Sequence, residues 1–281
     1  MLLEGKYMWI WELDRCDHGD IGKVSQTLKD VGITGIILKT HDGSNFWHQT
    51  YAIPEFKKQG IKVGAWGYCY GRNTDGEIAA IHQAVSFKPD FYVMDVESEF
   101  EPDSMHPVAE QMLIRLKDIG IPLGYTSFAI PSYHSVPFAV FSKYCSFTMP
   151  QIYWKEMKWQ VNKAFETSYE EYSAYKLPIY PVGQITSDVP PEEIVQFNDL
   201  CQQKNIRMVS YWNCQEASQS QLDAIKESTD KEFKNAVDTL KNNGLILEPD
   251  YWIQNAEPGK TVNGEYARIL ILRMAARLAK P

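Results

Sequence analysis

The chain has 281 residues, 44% of them hydrophobic, which is enough for one large domain or for a medium domain with a small appendage. Its formal net charge of −8 argues against nucleic-acid binding and against attraction to an anionic membrane surface. We therefore expect neither a nucleic-acid partner nor a membrane partner.

The N-terminus and the cysteines bear on localisation. The opening stretch MLLEGKYMWIWELD has no basic leader, and its apolar runs are too short to span a bilayer. The five cysteines are irregularly spaced and contain no C-x-x-C pattern, which is typical of reduced thiols. We expect synthesis in the cytoplasm without a signal peptide, so that action outside the cell needs another exit route.

Strand-like and helical segments alternate along most of the chain. Buried strands are predicted at 7–12, 33–39, 61–68, 91–99, 122–126, 146–153, 178–182 and 207–213. Helices are predicted at 21–31, 49–59, 76–87, 104–119, 135–144, 158–175, 191–204 and 216–227. Glycines 32, 60 and 120 follow three of these helices, where left-handed caps are expected.

Eight strand–helix units within residues 1–227 predict an α/β fold, a (β/α)8 barrel of the TIM type. An open, doubly wound sheet is the alternative. It is disfavoured because the chain contains no G-x-G-x-x-G motif and no P-loop motif.

Residues 228–281 no longer alternate between strand-like and helical segments, and they are predicted to form a small three-helix module. The polar stretch Glu227–Asp230 is expected to end the barrel domain, and helices are predicted at 231–241, 249–255 and 264–279. The module is either an independent unit or an arm packed on the barrel. Cell-wall binding and homo-oligomerisation are the two roles expected for it.

One stretch, Phe91–Glu99, begins with apolar strand residues and ends in acids. Because side chains alternate along a strand, Asp95 and Glu97 should project from one face, about 6 to 7 Å apart. Two carboxyl groups so close cannot both ionise freely, so one keeps its proton to higher pH, as a general acid must. We predict Asp95 and Glu97 as catalytic residues. A solvated polar strand end is the alternative interpretation.

Aromatic, amide and charged residues collect at the ends of the other predicted strands. In (β/α)8 barrels the active site lies at the carboxyl ends of the strands. The predicted substrate-binding residues are Trp11, Glu12, Lys39, Trp66, Tyr68, Tyr125, Gln151, Tyr153 and Trp212. Aromatic faces stack on sugar rings, while amides and carboxylates bind hydroxyl and acetamido groups. The set predicts a glycan substrate, although any single aromatic residue is nearly as easily explained as barrel core. No metal and no cofactor are predicted.

Four segments resemble the lysozymes of glycoside hydrolase family 25 and occur in that family's order. They are Ile36–Gly43, similar to IKATEG; Val63–Tyr68, similar to GAYHY; Met94–Glu97, similar to LDVE; and Gly124–Ser127, similar to YTS. The resemblance implies a muramidase that cleaves the β-1,4 bond after N-acetylmuramic acid in peptidoglycan. It also implies a phage endolysin or tail-associated lysin that acts on the cell wall, with Glu97 as general acid and Asp95 as its acidic partner.

The chain departs from the family 25 pattern in its first and sixth strands, and the sixth strand is similar to a second family. The family 25 first strand carries an Asp, for which Glu12 or Asp14 would have to substitute. The segments Met149–Trp154 and Val209–Trp212 are similar to chitinases of family 18, in which a Tyr and a floor Trp hold the acetamido sugar. The chain therefore resembles a divergent member of the barrels that cleave N-acetylhexosamine glycans.

The family 18 motif D-x-x-D-x-D-x-E is matched at Asp90, Asp95 and Glu97, with Val93 in place of its second acid. The resemblance implies that Glu97, with its pKa raised by Asp95 and by aromatic surroundings, protonates the leaving group. Asp95 would orient the substrate's acetamido group for attack on the anomeric carbon, a substrate-assisted route that retains configuration. The implied sugar-holding residues are Gln151, Tyr153 and Trp212.

Two other functional classes stay open. The altered first and sixth strands also fit a carbohydrate-binding barrel without catalysis. A metal-dependent hydrolase would use His41, Asp42 and Asp95, although the chain has no H-x-H and no H-E-x-x-H spacing.

Overall fold

A closed ring of parallel strands is the central feature of the computed structural model, which describes residues 3–186, 188–256 and 260–278. The strands are β1 Gly5–Ile10, β2 Gly35–Asp42, β3 Asn45–Phe46, β4 Lys62–Tyr68, β5 Phe91–Asp95, β6 Leu123–Phe128, β7 Phe147–Ile152, β8 Val182–Gln184 and β9 Met208–Trp212. Eight strands pair in parallel in the order β1-β2-β4-β5-β6-β7-β8-β9, and β9 pairs with β1. The short β3 is antiparallel to β2.

Helices alternate with these strands and surround the ring. They are α1 Ile21–Asp30, α2 Ile53–Lys58, α3 Thr74–Ser86, α4 His106–Leu116, α5 Phe138–Tyr144, α6 Val161–Ser173, α7 Pro191–Gln203 and α8 Gln219–Asn242. The predicted (β/α)8 barrel is confirmed. None of the helices described combines the length and the apolar character needed to cross a membrane.

Local signals explain why several helices begin and end where they do. Asp20 precedes α1, and its side chain accepts a hydrogen bond from the Lys23 backbone N–H at 3.1 Å. The three predicted glycine caps all have left-handed backbone, with φ of +80° at Gly32, +76° at Gly60 and +84° at Gly120. These turns return the chain to the amino-terminal end of the barrel, where the next strand starts.

The seventh barrel strand differs from its prediction at 178–182. β8 is instead Val182–Gln184, and the earlier part of the segment contributes a single bridge between Ile179 and Thr148. Pro178 and Pro181 supply the reason, because neither has a backbone N–H to donate to a neighbouring strand.

The predicted break at Glu227–Asp230 is wrong, because α8 runs through it without interruption. The stretch contains no glycine or proline, and the Thr229 hydroxyl bonds back to the Ile225 carbonyl at 2.9 Å, as helical Thr commonly does. The chain nevertheless divides into two compact units, Met1–Ala224 and Ile225–Pro281. The second unit contains most of α8 together with α9 Pro249–Asn255 and α10 Gly264–Leu278, so a helical C-terminal module is present.

Large rings and glycines alternate around one layer of the barrel. The rings of Tyr7 and Phe91 meet edge to face at 5.6 Å, and those of Phe91 and Phe147 at 5.7 Å. Each ring lies against a glycine of the adjoining strand: Tyr7 against Gly35, Phe91 against Gly64 and Phe147 against Gly124. A Cβ at these glycines would lie 2.2 to 2.3 Å from a ring atom. The layer therefore accepts no added atom without displacing a ring.

This packing predicts that Gly124→Ala destabilises the barrel by about 1–3 kcal/mol, the usual cost of overpacking a core. Urea unfolding followed by tryptophan fluorescence measures the change. Phe147→Leu added to Gly124→Ala should recover part of the loss by making room. Gly22→Ala is the control, because Gly22 is exposed in α1 with ordinary helical backbone and should be neutral or slightly stabilising. Equal stability of Gly124→Ala and the native chain would contradict the packing argument.

Candidate active site

Two carboxyl groups converge at the carboxyl end of β5. Asp95 is the last residue of the strand, whereas Glu97 lies beyond it, so the expected strand alternation does not reach Glu97. The side chain of Gln151 on β7 joins them, because its Nε2 donates to Asp95 Oδ1 at 3.0 Å and to Glu97 Oε1 at 3.1 Å. We call Asp95 and Glu97 the carboxyl pair.

Burial controls the ionisation of the carboxyl pair. Desolvation, and then the charge of Glu97, raises the pKa of Asp95 well above its ordinary value, while the charge of Lys39 opposes the shift. Desolvation also raises the pKa of Glu97, and the charge of Glu99 adds to this. The pKa of Glu97 is thus raised, in the direction expected for it, with burial as the largest cause. These directions favour a pair that keeps one shared proton to higher pH.

Lys39, on β2, is buried among tryptophan rings. Its ammonium group lies 4.5 Å from the ring centre of Trp47, 5.0 Å from Trp66 and 5.6 Å from Trp11. It also forms an ion pair with Asp42 at 2.6 Å. Lys39 is 4% exposed and Trp66 is 2% exposed. Both residues are therefore almost completely enclosed, and their expected contact with the substrate stays a prediction.

Four of the predicted aromatic residues are only partly buried at the strand ends: Trp11, Tyr68, Tyr153 and Trp212. Tyr153, Trp11 and Trp212 pack on the buried core of the barrel, and the rings of Tyr153 and Trp212 are 6.4 Å apart. The Tyr68 hydroxyl donates to Glu99 at 2.7 Å. These side chains keep some surface available for a ligand, as the prediction requires.

Two other predicted binding residues are placed elsewhere. Tyr125 is fully buried, and its hydroxyl is hydrogen-bonded to that of Ser142 on α5 at 2.9 Å. Its side chain therefore belongs to the layer between the barrel and the helices, and the prediction of substrate contact is wrong. The Glu12 carboxylate pairs with Arg15 at 2.9 Å in the turn after β1, which gives no support to its expected role at the carboxyl end of the barrel, here called the mouth.

The residues of the metal-dependent alternative are held in other contacts. His41 is buried, with Nδ1 2.8 Å from the Gly43 carbonyl and Nε2 against the Tyr92 hydroxyl, and desolvation lowers its pKa to about 4. Asp42 is held by Lys39. Within the described parts of the chain, no three histidine, cysteine, aspartate or glutamate side chains are arranged to hold a metal ion. His41, Asp42 and Asp95 therefore do not form the site that their types suggested.

A cleft of about 360 Å³ opens beside Glu97, and we call it the side cleft. Its lining residues are Glu97, Phe128, Ala129, Ile130, Tyr133, His134, Gln151, Tyr153, Glu156 and Met157. Most of them lie on the loops after β6 and β7, so inspection of strand ends alone does not find them. The rule that barrel sites are built from these loops would have directed attention to them.

No protein-family model and no curated protein sequence matches the chain. Solved structures do match. A chitinase from Chromobacterium violaceum ATCC 12472 has a TM-score of 0.58 and 7% identity, covering 81% of this chain and 99% of that chain. The GH18 chitinase ChiB of Flavobacterium johnsoniae has a TM-score of 0.58 and 10% identity, covering 82% of this chain and 94% of that chain. The spore cortex-lytic enzyme SleL of Bacillus megaterium QM B1551 has a TM-score of 0.55 and 7% identity, covering 80% of this chain and 74% of that chain.

These likenesses are informative about architecture. Tryptophan synthase subunit alpha from Legionella pneumophila also matches, with a TM-score of 0.51 and 11% identity, covering 81% of this chain and 93% of that chain. Barrels of different chemistry thus share this fold. The likenesses therefore establish the fold, and the reaction depends on the side chains at the mouth.

The raised pKa of Asp95 predicts how stability depends on pH. Between the unfolded value of about 3.9 and the higher folded value, the folded state holds more protons, so stability falls as pH rises through this window. Asp95→Asn keeps the hydrogen-bonding shape and removes the buried charge. It should stabilise the protein at pH 7 by about 1–3 kcal/mol, the range for incompletely compensated burial, and the gain should shrink towards pH 4.

Thermal and urea unfolding at pH 4 and pH 7 test this expectation. Asp118→Asn, an exposed change of the same type, is the control and should alter stability by less than about 0.5 kcal/mol at both pH values. A destabilising effect of Asp95→Asn at pH 7, or a gain independent of pH, would show that Asp95 is not held protonated by burial.

Proposed function

We propose that the barrel is a glycosidase acting on glycans that contain N-acetylhexosamine. The observation that carries the proposal is the carboxyl pair bridged by Gln151, which lies beside a cleft and below partly exposed aromatic rings. A proton-sharing pair supplies an acid that remains protonated near neutral pH, and aromatic rings suit a sugar substrate. The solved chitinases with the same fold support this reading.

The closeness of the carboxyl pair favours substrate assistance over direct attack by an enzyme carboxylate. Retaining enzymes with a carboxylate nucleophile separate the two carboxyl groups by about 5–5.5 Å, and inverting enzymes by about 6.5–9.5 Å. Asp95 Oδ1 and Glu97 Oε1 instead accept hydrogen bonds from one and the same atom, Gln151 Nε2. A pair gathered on one donor atom is poorly placed to stand on opposite faces of a sugar ring, so we assign the role of nucleophile to the carbonyl oxygen of the substrate's own acetamido group.

The proposed reaction moves one proton between named groups. When the acetamido N–H binds Asp95, it favours the ionised form of that carboxyl, so the shared proton passes to Glu97. Glu97 then protonates the glycosidic oxygen as the acetamido oxygen attacks the anomeric carbon and the bond to the leaving sugar breaks. Water, deprotonated by Glu97, opens the cyclic intermediate with net retention of configuration. The groups proposed to hold the acetamido sugar are Gln151, Tyr153 and Trp212.

Peptidoglycan is the proposed substrate, cleaved at the β-1,4 bond after N-acetylmuramic acid, as the resemblance to family 25 implies. The likeness to a spore cortex-lytic enzyme is consistent with a cell-wall glycan, and chitin-type glycans are the alternative substrate. The cell wall is the corresponding place of action. Delivery of the protein to the wall as a phage lysin, or as part of a phage particle, stays a prediction from the sequence.

Glu97→Gln should reduce the rate of glycan hydrolysis by about 10²–10⁴-fold, because the amide cannot donate the required proton. Reducing-end release from purified peptidoglycan and from chitin oligosaccharides measures the loss, and mass spectrometry of the products identifies the bond cleaved. Glu110→Gln on α4 makes the same chemical change outside the mouth and should retain activity.

Calorimetric titration with the same oligosaccharides separates this proposal from a carbohydrate-binding barrel. Glu97→Gln should still bind glycan, because the aromatic residues are intact. Full hydrolysis by Glu97→Gln would refute the assignment of the general acid. Glycan binding by the native chain without any hydrolysis would instead establish the non-catalytic alternative.

For the C-terminal unit we propose self-association through α10, with wall binding as the alternative role. Five large apolar side chains on this helix are 40 to 84% exposed: Ile269, Ile271, Leu272, Met274 and Leu278. The spacing of Ile271, Met274 and Leu278 is that of a helix-pairing seam.

Ile271→Glu should lower the sedimentation coefficient to that of a monomer, whereas Arg268→Glu, at an exposed position of the same helix, should not. A native chain that sediments as a monomer at all concentrations excludes self-association.

A further inference from the structure

A cavity of about 540 Å³ lies at the amino-terminal end of the barrel, opposite the mouth. It opens between residues 176–180, which precede β8, and residues 204–207, which precede β9. β8 begins to pair with β9 only at Val182, after Pro178 and Pro181, which have no N–H to donate to a neighbouring strand. The two segments are therefore separated ahead of the paired strands, and we call the space between them the basal cleft.

The lining of the basal cleft contains three cations, Lys176, Lys204 and Arg207, and no aspartate or glutamate. The Glu166 carboxylate is 2.7 Å from the ammonium group of Lys204 and pairs with it. Within the part of the chain that the structure describes, neither Lys176 nor Arg207 forms an ion pair. Two positive charges therefore line the cleft without a paired carboxylate, in a chain that has 36 acidic and only 28 basic residues.

Helix ends account for two of the three cations. Lys176 and Lys204 follow the carboxyl ends of α6 and α7, where the helix dipole favours positive charge, as it does for Lys117 after α4. Arg207 has no such explanation, because it precedes β9 and is exposed. Its backbone carbonyl accepts the Gly5 N–H at 2.8 Å, which fixes the start of the side chain. A guanidinium group that lines a cavity without a carboxylate partner suits an external anion.

A buried tyrosine belongs to the same lining. Tyr180 is 4% exposed, and its hydroxyl oxygen accepts the Leu3 N–H at 3.1 Å. Among the residues that the structure describes, no acceptor is present for the hydroxyl proton. Burial raises the pKa of Tyr180, and the charge of Arg207 opposes that rise, so the guanidinium charge acts on this hydroxyl. The phenol keeps its proton at neutral pH and is a neutral donor in addition to the cations.

Charge indicates which kind of anion fits the basal cleft. A phosphate monoester carries about −1.5 to −2 charge at pH 7 and has three strong acceptor oxygens. That charge matches the two cations without a paired carboxylate, whereas a carboxylate or a phosphodiester carries one negative charge. The acceptor oxygens match the donors that Arg, Lys and Tyr side chains supply.

We propose that the basal cleft binds a dianionic phosphate group, with Arg207 and Lys176 as its charged contacts and Tyr180 as a neutral donor. The site lies at the opposite end of the barrel from the carboxyl pair. It is therefore independent of the proposed glycosidase function.

Isothermal titration calorimetry of the full chain tests the site with glycerol 3-phosphate, inorganic phosphate, dimethyl phosphate and glycerol. At low ionic strength and about pH 8, where the first two probes are dianions, both should bind more tightly than dimethyl phosphate, and glycerol should not bind. Added salt should weaken the binding of both dianions. Tighter binding of glycerol 3-phosphate than of inorganic phosphate identifies an organic phosphate as the ligand, whereas equal affinities identify the phosphate ion itself.

Arg207→Ala should weaken the binding of glycerol 3-phosphate by about tenfold or more, the loss expected for hydrogen bonds between charged groups. Arg207→Lys should restore part of the affinity, because it keeps the charge without the fork of donors. Lys176→Ala should also weaken binding. Lys117→Ala is the control, because Lys117 is an exposed lysine at the end of α4 and does not line the cleft.

Circular dichroism of each variant checks that the barrel is intact. Three results would overturn the assignment: no binding of either dianion, equally tight binding of dimethyl phosphate or glycerol, or losses in Arg207→Ala and Lys176→Ala no larger than in Lys117→Ala. Loss of glycan hydrolysis in Glu97→Gln with phosphate binding unchanged would show that the two sites are separate.

Discussion

The site depends on the hydrogen bonds by which Gln151 holds two acids together at the end of β5. One side-chain amide donates to Asp95 and to Glu97, while burial makes it costly for both acids to ionise. Because β5 and β7 are separated by β6 in the ring, both must pair with β6 in the correct register for this contact to form. A shift of β7 by one residue would turn Gln151 away and leave the acids to repel each other.

The rest of the barrel supports this arrangement from below. The ring-and-glycine layer fills part of the barrel core, and the tryptophans around Lys39 hold a cation whose charge reaches Asp95. That cation lowers the pKa of Asp95 and so makes its ionised form attainable when a ligand hydrogen-bonds to it. Lys39 therefore influences the ionisation of Asp95 although it is itself buried, and its ion pair with Asp42 keeps it in place.

Much of the architecture could be predicted, because hydrophobic alternation and glycine caps are local signals. The failures have physical reasons. β5, β6 and β7 are buried on both faces, so the sequence of such a strand does not reveal which residues face the barrel interior. Tyr125 was misplaced for this reason. The convergence of Asp95 and Glu97 was foreseen from strand alternation, yet it depends on a loop conformation and on Gln151, and neither is encoded in a local pattern. The side cleft was missed because its walls are brought together by two separate loops.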